Sequence, residues 1–274
     1  MNSRRLLIGI AAAGVLVGGG GAAWAGGAIS SAPSPQPANP HAAPAAPLAP
    51  IDSSTESKYT AITPCRIVDT RVAGGKLAAN ATRSWVVAGT TLFVPQGGTS
   101  GGCGVPSSAT AVAASVTAVS ASGNGYLRIW PYGSAQPNAT FMNYTKSFNV
   151  SNGGTLTINA AGARHITAKA FGAATHVVID VSGYYVKPMS AELNTAAGLI
   201  HGSRVTNTVH ITTGQYEVDF DRNVSQCTYH ATPYFVGYTA GVEPRSGNAN
   251  GVFVYFQSTA GTYTDVQFYL TVTC

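Results

Sequence analysis

Charged side chains are scarce in this 274-residue chain, where only 9% of residues are Asp, Glu, Lys or Arg, against about 25% in a typical soluble domain. So little charge would suit a membrane protein, but beyond residue 25 no apolar run approaches the roughly 20 residues that a spanning helix needs. Sustained 3.6-residue periodicity is also lacking, which argues against helices. Thr, Val, Tyr and small residues dominate instead, and they favour an all-β protein.

Catalytic and metal-binding patterns are lacking as well. No two of the six histidines lie two or four positions apart, so the chain has no zinc signature. His176 stands close to Asp180 in the sequence, but we predict no hydrolytic triad from this pair. The sequence therefore predicts no catalytic residue and no cofactor.

The N-terminus has the order of a secretory signal. Arg4 and Arg5 precede an apolar segment from Leu6 to about Ala22, and Ala23-Trp24-Ala25 follows. We predict a signal peptide over residues 1–25, exported by the Sec route, and the paired arginines also fit the twin-arginine route. The alternative is an uncleaved membrane anchor, which four consecutive glycines disfavour as a stable helix. In both cases the remainder is secreted or displayed on the cell surface.

Three further segments follow the predicted signal peptide. Residues 26–57 are rich in Pro and Ala and predict a disordered, extended linker. Residues 58–187 and 188–274 carry short apolar runs separated by Gly, Pro and Asn. This pattern predicts a basic all-β domain and then a second β domain, two β-sandwich or jelly-roll-like domains in tandem.

Individual strands of the first unit can be placed from composition. Ala111 to Val119 and Gly125 to Trp130 read as strands joined by a Ser-Gly-Asn turn. Ser84 to Ala88 and Thr91 to Val94 read as two more. In the second unit, Ala191 to Leu199 shows no clear stripe and is interpreted as a connector.

One strand of the second unit has the cleanest alternation in the chain. Its apolar residues Tyr216, Val218 and Phe220 point one way, and Glu217, Asp219 and Asp221 point the other. This carboxylate row is a candidate calcium site, because hard cations prefer several oxygen ligands. The alternative is a solvated outer face.

All four cysteines lie beyond the predicted signal peptide, as expected where thiols are oxidised. Of the three possible pairings we favour Cys65–Cys103 with Cys227–Cys274, because each bond then closes a loop inside one predicted domain. Such a bond stabilises the fold by roughly 3–4 kcal/mol in the chain-entropy model.

Asp69 stands between Arg66 and Arg71, next to the first cysteine. It is either a carboxylate of a binding or catalytic site, or part of an ion pair that fixes a loop. Asp180 lies in an otherwise apolar strand, where a bare carboxylate costs several kcal/mol. We therefore expect Asp180 to pair with one of the two arginines.

The two predicted domains have opposite charge. Residues 58–187 hold ten Lys and Arg against two Asp, whereas the chain from residue 190 holds three Arg against six acids. A basic exported domain attracts anionic wall polymers or glycans, unless it packs on its acidic neighbour. No nucleic-acid motif is present, membrane contact is expected only through an uncleaved N-terminal segment, and the oligomeric state stays open.

Three motifs of the first unit carry a resemblance to a known type of module: Pro64-Cys65-Arg66-Ile67-Val68-Asp69-Thr70-Arg71, Cys103-Gly104-Val105-Pro106 and Asp180-Val181-Ser182-Gly183-Tyr184-Tyr185. The unit resembles an all-β surface module, without settled activity, of exported bacterial proteins of the GC-rich Gram-positive type. The second unit is similar to small β-sandwich units of surface proteins, over Gly214–Val218, Val224–Tyr229 and 265–274. The resemblance implies an exported β protein and no catalytic residues.

The sequence as a whole predicts a secreted or cell-surface protein with a non-catalytic binding or structural role. Its predicted contact is an anionic cell-wall polymer or glycan. Two alternatives are a wall- or glycan-acting hydrolase, and an adhesin or receptor-binding tip built on the second unit.

Overall fold

The structure, a computed structural model, describes residues 56–274. The predicted signal peptide (1–25) and residues 26–55 of the predicted linker lie outside the described residues. Within the described part, regular structure consists of sixteen strands and one three-residue 3-10 turn. No helix of residues 56–274 is long and apolar enough to cross a membrane. The predicted all-β class is confirmed.

The first eight strands form two four-stranded antiparallel sheets around one core, in the orders β1-β8-β3-β6 and β2-β7-β4-β5. Their bounds are β1 (Lys58–Asp69), β2 (Thr82–Trp85), β3 (Ala109–Val119), β4 (Gly125–Pro131), β5 (Met142–Tyr144), β6 (Val150–Thr157), β7 (Ile166–Phe171) and β8 (His176–Val186).

The last eight strands repeat this plan around a second core, in the orders β10-β9-β16-β13 and β11-β12-β15-β14. Their bounds are β9 (Met189–Leu193), β10 (Leu199–Ser203), β11 (Val205–Thr212), β12 (Gln215–Phe220), β13 (Thr228–Pro233), β14 (Tyr238–Pro244), β15 (Gly251–Ser258) and β16 (Phe268–Thr273). The four sheets thus make two sandwich-like sets, while the boundary at residues 187/188 stays a prediction.

Two-residue alternation builds the faces of these sheets. In β12, Tyr216, Val218 and Phe220 are buried as predicted. Phe268 and Leu270 of β16 are buried in the same core. Because successive side chains of a strand point to opposite faces, the polar residues between them face outward.

The chain crosses between sheets more often than a hairpin protein would. β3 and β4 are both strands, as predicted, but they belong to different sheets and do not pair. The turn between them therefore crosses the edge of the core from one sheet to the other. β1 pairs with β8 at the far end of the first unit, whereas β11 and β12, and β14 and β15, pair as neighbours in sequence.

Two predictions were wrong. The expected strand from Thr91 to Val94 is a series of bends that leads into the 3-10 turn Val94–Gln96, because Pro95 removes a donor that a sheet ladder needs. The expected connector from Ala191 to Leu199 begins inside β9 and ends at the start of β10. Met189, Ala191 and Leu193 are buried there, and this alternation was too short to recognise in the sequence.

Candidate functional site

Arg66 joins two carboxylates at the pairing of β1 and β8. Its Nε and Nη2 donate to Asp180 Oδ1 and Oδ2 over 2.9 and 3.1 Å, a two-pronged pair. Its Nη1 donates to Asp69 Oδ2 over 3.1 Å. Hydrogen bonding to Asp180 raises the pKa of Arg66 above its ordinary value. The expected partnership of Asp180 with an arginine is present.

Asp69 is buried at the end of β1 and accepts three hydrogen bonds from Arg71. The backbone N of Arg71 donates over 3.0 Å, and its Nε and Nη2 donate over 2.9 and 2.6 Å. The side-chain bonds from Arg71 are the main reason that the pKa of Asp69 falls to about 2. A carboxylate with this pKa stays ionised at neutral pH and offers no proton there. The contacts suit a fixed loop better than a general acid.

A disulfide closes the same region. Cys65 is bonded to Cys103, and in the second unit Cys227 is bonded to Cys274, so the pairing is the one favoured from the sequence. The loops span 38 and 47 residues. Disulfides persist in oxidising surroundings, and these two are consistent with an extracellular location.

Two buried polar residues that sequence reasoning missed hold the segment after β2. Gln96 Nε2 donates to Ile67 O over 2.7 Å and to Val86 O over 2.9 Å. His165 Nδ1 accepts from the backbone N of Val87 and of Ala88 over 2.8 and 2.9 Å. Burial lowers the pKa of His165, which favours the neutral acceptor form. The strand predicted from Ser84 to Ala88 is therefore correct only for Ser84 and Trp85, which belong to β2, and these bonds replace the ladder over Val86 to Ala88.

The outer face of sheet β2-β7-β4-β5 combines cations with aromatic rings. Tyr126 lies opposite Phe171 and Arg128 lies opposite Lys169 in the pairing of β4 with β7. The rings of Tyr126 and Phe171 stack at 4.6 Å and 6°. Arg128 Cζ and Lys169 Nζ lie 4.9 and 4.8 Å from the centre of the Phe171 ring. We call these four half-buried residues the cationic-aromatic face.

Arg128 is fixed in this face from the side of the following loop. Its Nη1 donates to Pro137 O over 3.0 Å and to Asn138 Oδ1 over 3.3 Å. Its guanidinium is therefore held in place before any ligand arrives. The sequence signal was the i, i+2 spacing of Tyr126 with Arg128 and of Lys169 with Phe171, which places each pair on one side of its strand.

The carboxylate row of β12 is covered by partners of its own unit rather than bare to solvent. Arg245 Nε donates to Glu217 Oε2 over 2.8 Å, and Asn248 Nδ2 donates to both Glu217 and Asp219 over 2.9 and 2.8 Å. Arg204 Nη2 donates to Asp221 Oδ1 over 2.7 Å. The alternative to a calcium site was a solvated outer face. Instead, the carboxylates of this face mostly accept hydrogen bonds from neighbouring side chains.

Titration within the row follows from these bonds. Burial opposes the ionisation of Glu217, but hydrogen bonds from Asn248 and Arg245 outweigh it and lower the pKa. Burial raises the pKa of Asp219. Among residues 56–274, no group of three or more His, Cys, Asp and Glu side chains is arranged to hold a metal ion.

No family model matches the chain, and no curated protein matches it in sequence. The function is therefore inferred from the contacts and charges of the described residues.

Proposed function

We propose that this protein is a non-catalytic binding protein of the cell exterior, and that residues 58–187 bind an anionic wall polymer or glycan. The cationic-aromatic face is the proposed contact. The predicted leader and the two disulfides support an exported location.

The proposal rests on the way in which the two acids of the basic segment are paired with arginines. Asp69 and Asp180 are its only carboxylate side chains, and both are bonded to Arg66 or Arg71. Residues 58–187 hold ten lysines and arginines against these two acids, a formal charge of +8. A net positive charge of this size attracts polyanions.

Five of the six acids from residue 190 onward also have partners within the second unit. Besides the row of β12, Asp265 Oδ1 accepts from His210 Nε2 over 2.7 Å, and Glu192 Oε1 accepts from Gln267 Nε2 over 2.8 Å. These contacts support an external anion, rather than the acidic neighbour, as the partner of the basic segment.

The cationic-aromatic face suits a charged sugar polymer. Arg128 and Lys169 supply positive groups for phosphate or carboxylate, and arginine can bind either anion with two donors. The adjoining rings of Tyr126 and Phe171 supply apolar surface for the carbon skeleton between the charges.

Sedimentation with purified Gram-positive cell walls tests the proposal. We expect the full chain to bind at low salt and to be released at high salt, since salt screens exposed charges. Lys169→Gln and Lys76→Gln each remove one positive charge from the basic segment, but only Lys169 belongs to the face. We expect Lys169→Gln to weaken retention several-fold more than Lys76→Gln.

Retention that is equal at both salts, or absent at both, would overturn the proposal. Equal weakening by the two variants would reject the cationic-aromatic face as the contact.

A further inference from the structure

A groove of about 290 Å³ runs along the outer face of the sheet β10-β9-β16-β13 in the second unit. Its polar lining comes from three neighbouring strands: Ser190 and Glu192 of β9, His201 of β10, and Tyr269 and Thr271 of β16. Neither lysine nor arginine lines it. The groove lies in the acidic unit and shares no lining residue with the cationic-aromatic face.

Three side chains cross the groove in one row. Glu192 of β9 lies opposite His201 of β10 on one side and opposite Tyr269 of β16 on the other. The Glu192 side chain is only 12% exposed, and Gln267 Nε2 holds its Oε1 over 2.8 Å. The second oxygen, Oε2, lies 3.8 Å from His201 Nε2.

That 3.8 Å separation is too long for a hydrogen bond. A ligand hydroxyl placed about 2.8 Å from both atoms would donate to Glu192 Oε2 and accept from His201 Nε2. His201 Nδ1 is buried with no hydrogen-bond partner. With a proton on Nε2, the ring would face the carboxylate as a donor and leave Nδ1 as an unpaired acceptor.

Exposed aromatic rings continue the row at its Tyr269 end. Tyr234, Phe235 and Tyr269 are 51%, 61% and 43% exposed. The Tyr234 ring centre lies 4.9 Å from that of Phe235 and 6.1 Å from that of Tyr269. An open aromatic surface beside an oriented carboxylate fits a ligand with one apolar face and a rim of hydroxyl donors.

We propose that this groove binds a neutral pyranose chain. The C–H face of a sugar ring packs on Tyr269, and a hydroxyl of the same ring bridges His201 Nε2 and Glu192 Oε2. The carboxylate and the lack of lysine and arginine in the lining disfavour an anionic sugar. This site is independent of the proposed anionic-polymer contact, and it adds a second specificity on the other unit.

Calorimetric titration of the full chain with two neutral hexasaccharides, one of N-acetylglucosamine and one of glucose, tests the site. We expect binding to at least one of them that changes little with salt, because no charge pair forms. Tyr269→Ala should weaken binding about tenfold or more, as the loss of a central aromatic anchor does. Glu192→Gln should also weaken it, and Tyr269→Phe should retain most of the affinity.

Tyr263→Ala is the matched control, because Tyr263 is 42% exposed and contacts Tyr255 of the other sheet. It should leave the affinity unchanged, as should Lys169→Gln. Binding to neither hexasaccharide, or equal binding by wild type and a Tyr269→Ala variant with wild-type circular dichroism, would overturn the proposal. Neither result would affect salt-dependent retention on cell walls.

Discussion

Arg66 of β1 lies directly opposite Asp180 of β8, and its guanidinium meets both carboxylate oxygens with bonds of 2.9 and 3.1 Å. The same side chain reaches Asp69 at the end of its own strand. The β1–β8 register shifts on both sides of this pair. Arg66 therefore fixes the pairing of two strands where the backbone ladder is irregular, and links it to the loop that follows Asp69.

The two carboxylates of this cluster should differ in their effect on stability. We expect Asp69→Asn to lower the free energy of unfolding by about 1–3 kcal/mol, because the buried side chain would lose its charge-assisted bonds from Arg66 and Arg71. The Asp180 side chain is 34% exposed, so Asp180→Asn should cost about 0–1 kcal/mol, as for exposed ion pairs. Urea denaturation with the disulfides intact measures both. Equal losses of unfolding free energy would contradict the expectation that the buried Asp69 contributes more to stability than the more exposed Asp180.

Acid should weaken the fold through His165. Burial lowers its folded pKa below the ordinary 6.5, so the unfolded chain binds more protons once the pH falls below that value. The stabilisation is complete above pH 6.5 and is lost as the pH falls toward the folded pKa. His165→Asn keeps an acceptor but removes this titration, so stability should change less between pH 7 and 5 than in wild type.

The exposed His230 provides the control for that experiment. His230→Asn makes the same substitution outside the buried bonds to Val87 and Ala88, so a change of slope common to both variants would not come from His165. If His165→Asn shows the wild-type slope instead, the bonds from Val87 and Ala88 do not depend on a neutral imidazole.

Two glycines with nearly the same φ allow the cost of a steric clash to be distinguished from the cost of backbone strain. Gly97 and Gly101 have φ of +79° and +80°. A Cβ on Gly97 would collide with the carbonyl oxygen of Asp69, whereas a Cβ on Gly101 meets nothing within 4 Å.

We expect Gly101→Ala to cost about 1–2 kcal/mol from backbone strain alone. Gly97→Ala should cost about 1–3 kcal/mol more, because the loop must move away from β1. Denaturation midpoints compared at a common m-value measure the difference. Equal costs would mean that the loop does not lie against β1 as closely as described.

Features that depend on one strand could be predicted from the sequence. The alternation of Tyr216, Val218 and Phe220 identified a buried face, and the structure confirms it. An isolated Asp180 among apolar residues required a cationic partner, and Arg66 provides it.

Features that depend on distant partners could not be predicted. Val86 to Ala88 read as a strand because the run is apolar, yet its amides bond to Gln96 and His165. Nothing in the local sequence shows that these side chains meet that backbone. Pairings between strands far apart in sequence, such as β1 with β8, are unpredictable for the same reason, since they are decided by contacts across the whole unit.

The most direct test of the proposed function is a titration of the full chain with a purified wall phosphopolymer at several salt concentrations. The account predicts that the logarithm of the association constant falls linearly with the logarithm of salt concentration. For Lys169→Gln the slope should be shallower by about one, and for Lys76→Gln it should stay close to wild type. No binding at low salt, or an affinity that does not change with salt, would contradict the account.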